Sequence, residues 1–260
     1  MSSLMAVDQS LTKREPNVVD YGDLSRIGII IPSPNIVAES EIRAMSSAGV
    51  GVHITRLPLR GTSAEALAQM RLGVDEAAQL LADAGVDQIV FHCTAVTTFD
   101  AEVGKVISDR IKMRTGINSF STSEAIIAAL RVLRAQDIAM ITPYVETIHE
   151  RERAFLAANG IRAVVDSRMD IGDVNDFGRI TPAQIMDDVI AHADPRASAY
   201  FISCTAVRSA GLIRLLEEAL GRPVLTSNQA MMWYALQRAG VSCPKPQFGQ
   251  IFGLPLSSTS

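Results

Sequence analysis

The chain is poor in the features that would point to several common functions. Its 260 residues carry 24 Lys and Arg against 28 Asp and Glu, a net charge of −4 without blocks of one sign. That balance excludes a nucleic-acid backbone as the main partner, since phosphate binding needs a basic face. No apolar run reaches the roughly 18–20 residues that cross a bilayer, so no membrane partner is expected. Cysteine is scarce and odd in number, at three. A disulfide framework is therefore excluded, and reduced thiols in a cytoplasmic protein are expected. There is no C-x-x-C and no glycine-rich phosphate loop. The histidines His53, His92, His149 and His192 are scattered singly, without metal-ligand spacing.

What is present is an ordinary globular composition, 48% hydrophobic and 20% charged, in a chain long enough for one large domain or two smaller ones. Residues 1–24 include Lys13, Arg14, Glu15 and Asp20 but no continuous apolar stretch. They do not read as a secretory signal, and a flexible N-terminal arm is expected there.

The most informative feature is a repeated phrase. Val90-Phe91-His92-Cys93-Thr94-Ala95-Val96 matches Phe201-Ile202-Ser203-Cys204-Thr205-Ala206-Val207. Each cysteine follows, at the same spacing, a proline that ends an apolar run: Pro32 for Cys93 and Pro143 for Cys204. Short apolar runs at 27–31, 50–57, 86–91 and 117–120 alternate with helical patterns at 36–47, 63–84 and about 98–114. The order recurs with runs at 138–141, 161–165, 200–203 and 224–225, and helices at about 145–158, 182–192 and 210–220. Thr181 reads as a helix N-cap with Pro182 in the first turn. Ser119 to Ala125 and Val224 to Ala230 form a further matching pair.

Strands alternating with helices predict parallel sheets with right-handed crossovers. The expected fold is α/β, with two pseudo-twofold-related lobes. Each is a roughly four-stranded parallel sheet flanked by helices, and the active site lies in the cleft between them. A single eight-stranded barrel is the structural rival. Residues 25–121 with 227–260 are expected to form the first lobe, and 122–226 the second. Met231-Met232-Trp233-Tyr234 is read as packing a helix against the core, with a subunit interface as second option.

In such sheets ligands bind beyond the carboxyl ends of strands. Pro32 to Asn35, Cys93 to Ala95, Pro143-Tyr144 and Cys204 to Ala206 all fall there. Thiols at strand–helix junctions sit near free backbone N–H groups, which predicts a lowered thiol pKa. Two opposed thiols suit one task, with one acting as nucleophile or base while the other donates a proton. No lysine lies in these segments, and Arg208 is their sole arginine. An anionic substrate would then rest on Ser33, Asn35, Thr94, Tyr144, Thr205 and backbone N–H groups. Turn capping and packing are the plainer roles for Asn35 and Tyr144. Strand alternation points His92 away from Cys93, as a packed histidine. Cys243, beside Pro244, is read as a turn thiol without a role.

These phrases resemble the aspartate/glutamate racemase superfamily, and within it the maleate cis–trans isomerase and arylmalonate decarboxylase group. The resemblance runs from about Arg26 onward. It is carried by Ile30-Ile31-Pro32-Ser33-Pro34-Asn35 with Glu39 and Glu41, the two Cys-Thr phrases, Thr142-Pro143-Tyr144, Asp173-Val174-Asn175 and Phe248-Gly249-Gln250-Ile251-Phe252. It implies that Cys93 adds to the double bond of maleate and that Cys204 exchanges the proton, through an enediolate and a succinyl thioether. It implies that Asn35, Tyr144 and Asn175 hold the carboxylates, with backbone donors at Thr94, Ala95, Thr205 and Ala206. It implies a small dicarboxylate as substrate, no metal or organic cofactor, and a homodimer. Two Cys-Thr phrases also fit a two-thiol amino-acid or hydantoin racemase. An arylmalonate-type decarboxylase keeps the second thiol alone. A small-molecule binding module is the non-enzymatic alternative.

Overall fold

A computed structural model describes residues 19–242 and 245–256. Cys243 and most of the expected N-terminal arm lie outside the described residues. The chain alternates strand and helix throughout. The strands are β1 (Ser25–Pro32), β2 (Val50–Leu57), β3 (Gln88–Phe91), β4 (Asn118–Ser121), β5 (Asp137–Thr142), β6 (Arg162–Arg168), β7 (Ala199–Ile202) and β8 (Val224–Thr226). They form two four-stranded sheets, ordered β2-β1-β3-β4 and β6-β5-β7-β8, with every pairing parallel. The two halves thus share one topology, and the barrel is not formed.

Strand character follows position. The inner strands β3 and β7 are buried at every residue, because both faces of a parallel sheet are covered. The outer strand β6 is nowhere fully buried. Along β1, Ile27, Ile29 and Ile31 face one core while Ile30 faces another, as the two-residue period of a strand requires. Each core draws on both sheets. Phe120 and Phe201 belong to one, Phe91 and Tyr200 to the other.

The helices are α1 (Ala38–Met45), α2 (Ala64–Leu72), α3 (Val74–Asp83), α4 (Thr94–Thr97), α5 (Val103–Thr115), α6 (Thr122–Val132), α7 (Glu146–Ala158), α8 (Pro182–Ala191), α9 (Ile213–Leu220) and α10 (Ser227–Arg238). The repeated Ser/Thr-rich phrases have a clear physical role. Ser121 with Glu124 opens α6, and Thr226 with Gln229 opens α10, each as a capping box. Thr181 with Gln184 does the same for α8, with Pro182 in the first turn. On α10, Met231, Met232 and Trp233 are buried, and the helix packs on α6 and α1.

Two expected helices differ in the structure, one broken and one starting later. The helix predicted over 63–84 is α2 and α3, parted at Gly73. A Cβ there would come within 2.6 Å of Leu57 Cδ2, so any larger residue at this junction would have to push the Leu57 side chain aside. The helix predicted over 98–114 begins later, as α5. Asp100 Oδ1 accepts the N–H groups of Glu102 and Val103, both at 2.9 Å, and turns the chain first. Among the described residues, no helix is long and apolar enough to cross a membrane.

Candidate active site

Cys93 follows β3 as Cys204 follows β7, each two residues past the strand, so the duplicated topology delivers both thiols to one small cavity of about 30 Å³. Asn35, Thr94, Ala95, Tyr144, Thr205 and Ala206 line it too, so eight of the ten expected site residues meet there. The other two, Ser33 and Asn175, face an adjoining outer cavity with Arg60 and Asp173. Asn175 is exposed, and its amide donates to Asp173 Oδ1 at 2.7 Å. Ser33 is also exposed, with its hydroxyl accepting the Leu59 N–H at 3.2 Å.

Among the described residues, no Lys, Arg, His, Asp or Glu side chain lines the inner cavity. Its walls are largely apolar, with Leu59, Leu67, Ile148, Val174 and Phe177 among them. In such surroundings a charge is costly unless donors meet it. This reverses the expected direction for the thiols. Burial pushes both Cys93 and Cys204 up to about 12, against the smaller opposing effect of backbone N–H groups. Those donors are Ala95 and Val96 for Cys93, and Ala206, at 3.4 Å from the sulfur, for Cys204. The helix dipole gives little help to either thiol, for a structural reason. The helix after Cys93 spans four residues, and Cys204 is followed by a turn.

The two thiols sit in different backbones. Cys93 is extended, with φ −153°. Cys204 is left-handed, with φ 88°, a conformation non-glycine residues adopt at a cost of about 1–3 kcal/mol. Cys204 also has a hydroxyl neighbour. Tyr144, buried at the β5–α7 turn, lies beside its sulfur and works against the upward push on the thiol. The Tyr144 hydroxyl is itself held well above its ordinary pKa, first by burial and then by the nearby Cys204 and Glu152.

Asn35 shows how the lobes are tied. Its Oδ1 accepts the Val37 and Ala38 N–H groups at 3.0 and 2.9 Å, capping α1. Its Nδ2 donates to Thr205 O and Oγ1 at 3.1 and 3.0 Å, across to the Cys204 loop. All the amide's bonding capacity is thus in use. Thr94 Oγ1 donates to Ser227 Oγ at 2.9 Å, fixing the other loop.

His92 is fully buried and lies off the cavity, as strand alternation predicted. It bonds Thr122 Oγ1 at 3.0 Å and Asn228 Oδ1 at 2.8 Å. Burial holds its pKa down at about 4, so the ring is neutral. The residue that sequence reasoning missed is Glu152, on the buried face of α7 and bonded to Ser203. A signal was available. Ile148, His149, Glu152, Phe155 and Leu156 follow the spacing of a buried helical stripe. Among the described residues, no cluster of three His, Cys, Asp or Glu side chains could hold a metal ion.

Comparison with known proteins agrees with this architecture. The profile of the arylmalonate decarboxylase family matches residues 27–252, almost all of the described chain. The chain belongs to that family. Within the family's reach, a maleate isomerase of Nocardia farcinica is 26% identical over 241 residues, covering 88% of this chain and 95% of that protein. An arylmalonate decarboxylase of Bordetella bronchiseptica is 28% identical over 141 residues, covering 53% and 59%. Among solved structures, the maleate isomerase of Pseudomonas putida S16 with maleate superposes with a TM-score of 0.84 at 22% identity, covering 88% of this chain and 97% of that one. A Nocardia farcinica maleate cis–trans isomerase mutant with a covalently bound succinylcysteine intermediate also reaches 0.84, at 23% identity, covering 88% and 98%. The family fold is therefore the fold of this chain.

Proposed function

We propose that the protein is a cofactor-independent cis–trans isomerase of a small unsaturated dicarboxylate, with maleate to fumarate as the reaction. The observation that carries this is the convergence of two thiols on one uncharged cavity. The full-length likeness to maleate isomerases supports it. In the proposed reaction the Cys93 thiolate bonds to one alkene carbon. The π pair moves onto the other carbon and its carboxylate as an enediolate. Cys204 delivers its proton to that carbon, leaving a succinyl thioether on Cys93 and a thiolate at Cys204. Rotation about the new single bond follows. Cys204 then takes a proton back, the C–S bond breaks, and the trans diacid leaves.

Each site residue has a task on this reading. Tyr144 and the N–H groups around Thr94, Ala95, Thr205 and Ala206 meet the carboxylates and the enediolate charge. Asn35 holds Thr205 in place from the opposite lobe. Ser33 and Asn175, at the outer cavity, meet the diacid on entry. The high thiol pKa values require Cys93 to lose its proton before substrate seals the cavity. Turnover is therefore expected to climb as pH rises from 6 toward 8, about tenfold in thiolate fraction per pH unit.

One observation favours a second reading. The apolar wall, together with the Bordetella bronchiseptica likeness, fits decarboxylation of an aryl-substituted malonate. Proton NMR in D2O on a panel of diacids and amino acids separates the readings. Conversion of maleate to fumarate supports the isomerase. Loss of carbon dioxide from an arylmalonate with maleate untouched supports the decarboxylase. Exchange at an α-carbon alone indicates a racemase.

A further inference from the structure

Among the described residues, Glu152 is a carboxylate shut entirely from solvent, and the proposed reaction does not use it. Both its oxygens lie against a single hydroxyl, Ser203 Oγ, at 2.8 and 2.7 Å. Among the described residues, no cation contributes to its charge balance. One hydroxyl carries one proton, which a carboxylate would have to share between both oxygens. A proton on the buried carboxyl gives each short contact a hydrogen bond of its own. The pair is then reciprocal: Ser203 donates to one oxygen, and the Glu152 O–H donates back to Ser203 Oγ. Burial pushes the carboxyl up to about 8, which keeps it neutral under ordinary conditions.

Ser203 is one peptide bond from Cys204, whose left-handed backbone persists only where its surroundings over-determine it. The Ser203 N–H donates to Ile141 O at 2.8 Å, and the Ala206 N–H approaches the Cys204 sulfur at 3.4 Å. With the Glu152 bond, the segment is pinned on both sides and through its side chain. The other half lacks this device. Glu41 stands as far before Glu152 as Cys93 stands before Cys204. Yet His92 replaces the serine, and Glu41 turns to the Ser209 and Ala210 N–H groups, at 2.7 and 2.9 Å.

We propose that Glu152 is a positioning residue for the proton-transferring thiol: through Ser203 it holds the left-handed Cys204 backbone and keeps that sulfur in the cavity beside Tyr144. The role assigned to Cys204 rests on the isomerase reading. The charged state of Glu152 bears on the same groups. Ionising it raises both Cys204, at the end of β7, and Tyr144, at the β5–α7 turn, and Cys93 from the first lobe acts on both in the same sense. His149, on the same helix, is turned to Thr142 and Asp166.

The test uses the full chain and needs no substrate. Iodoacetamide alkylation of Cys204, read by peptide mass spectrometry, is compared between wild type and Glu152→Gln from about pH 6.5 to 9.5. The two are expected to match at the acid end. Glu152→Gln should be several-fold faster at the alkaline end, where wild type gains a charge beside the thiol. A ratio that stays flat with pH overturns the proposal. Turnover of maleate supplies the second arm. Glu152→Ala and Ser203→Ala should lower kcat about tenfold or more with KM within about twofold, and Glu152→Gln should restore most of the loss. Equal losses in Glu152→Gln and Glu152→Ala overturn the neutral-acid pairing. If the alanine variants do not fold, the alkylation series decides alone. A rising alkylation ratio in a protein that turns over no diacid leaves the positioning intact and refutes the isomerase reading instead.

Discussion

The Cys93 half and the Cys204 half share a topology, a Cys-Thr-Ala-Val phrase and a capping box, yet they surround their thiols differently. Cys93 is extended, with neutral His92 behind it tied to Thr122 and Asn228. Cys204 is left-handed, with Ser203 and Glu152 behind it and Tyr144 beside its sulfur. Duplication therefore placed two equal thiols, and the residues packed around them made them unequal. A thiol beside a hydroxyl, on a strained backbone, suits proton delivery to a fixed point. A thiol without those restraints suits bond formation and rotation of the adduct.

The largest effect expected from this comparison is at the thiols themselves. Cys93→Ser and Cys204→Ser should each lower turnover of maleate by about 10²–10⁴-fold. They should fail differently. Intact mass spectrometry should find a diacid adduct on Cys204→Ser and none on Cys93→Ser. Adducts on both, or near-normal turnover in either, would remove the division of labour.

Tyr144→Phe comes next. It deletes one donor beside Cys204 and should cost about 10²-fold in kcat with little change in KM, measured by steady-state kinetics. A loss confined to KM would make Tyr144 a binding group without a part in charge stabilisation.

The halves should also answer pH in opposite senses. His92 is depressed from 6.5 to about 4, so its stabilising contribution is complete above 6.5 and is lost as pH falls toward 4. Glu152 is raised from 4.5 to about 8, so its contribution is complete below 4.5 and is lost as pH rises through 8. In urea unfolding, His92→Gln should flatten the acid limb, a change on the order of 3 kcal/mol at most. Glu152→Gln should flatten the alkaline limb. A variant that flattens the opposite limb would refute the assignment of that limb.

Asn175→Ala should have the smallest effect, a rise of about twofold to fivefold in KM with kcat nearly unchanged, read from initial rates. A tenfold loss of kcat would mean that the residue reaches the inner cavity during turnover, in contrast with Asn35, whose amide is already built into the wall.

Much of this was legible in the residues. Alternating apolar runs and helical spacing located the eight strands, because the strand period of two and the helix period of 3.6 are local properties. The matching cysteine phrases placed both thiols at strand ends, and the Ser/Thr-x-x-Glu/Gln phrases marked helix starts. Less legible was anything requiring a distant partner. Gly73, where two helices meet, packs against Leu57 on a neighbouring strand. The spacing of its helix puts Glu152 on the buried stripe, but its role is invisible until Ser203 is placed against it.

By itself the sequence determined the two-lobed α/β plan, the duplicated thiols and their common cavity, since these follow from local periodicity and from the rule that strand ends gather ligands. The tertiary structure decided the electrical character of the site. Whether a thiol is lowered by a few N–H groups or pushed up to about 12 depends on how completely water is excluded, and exclusion is a property of the packed walls. The same burial neutralises Glu152 and His92. Strand-end chemistry is written in neighbouring residues, whereas the cost of charge is set by residues far apart in the chain and close in space.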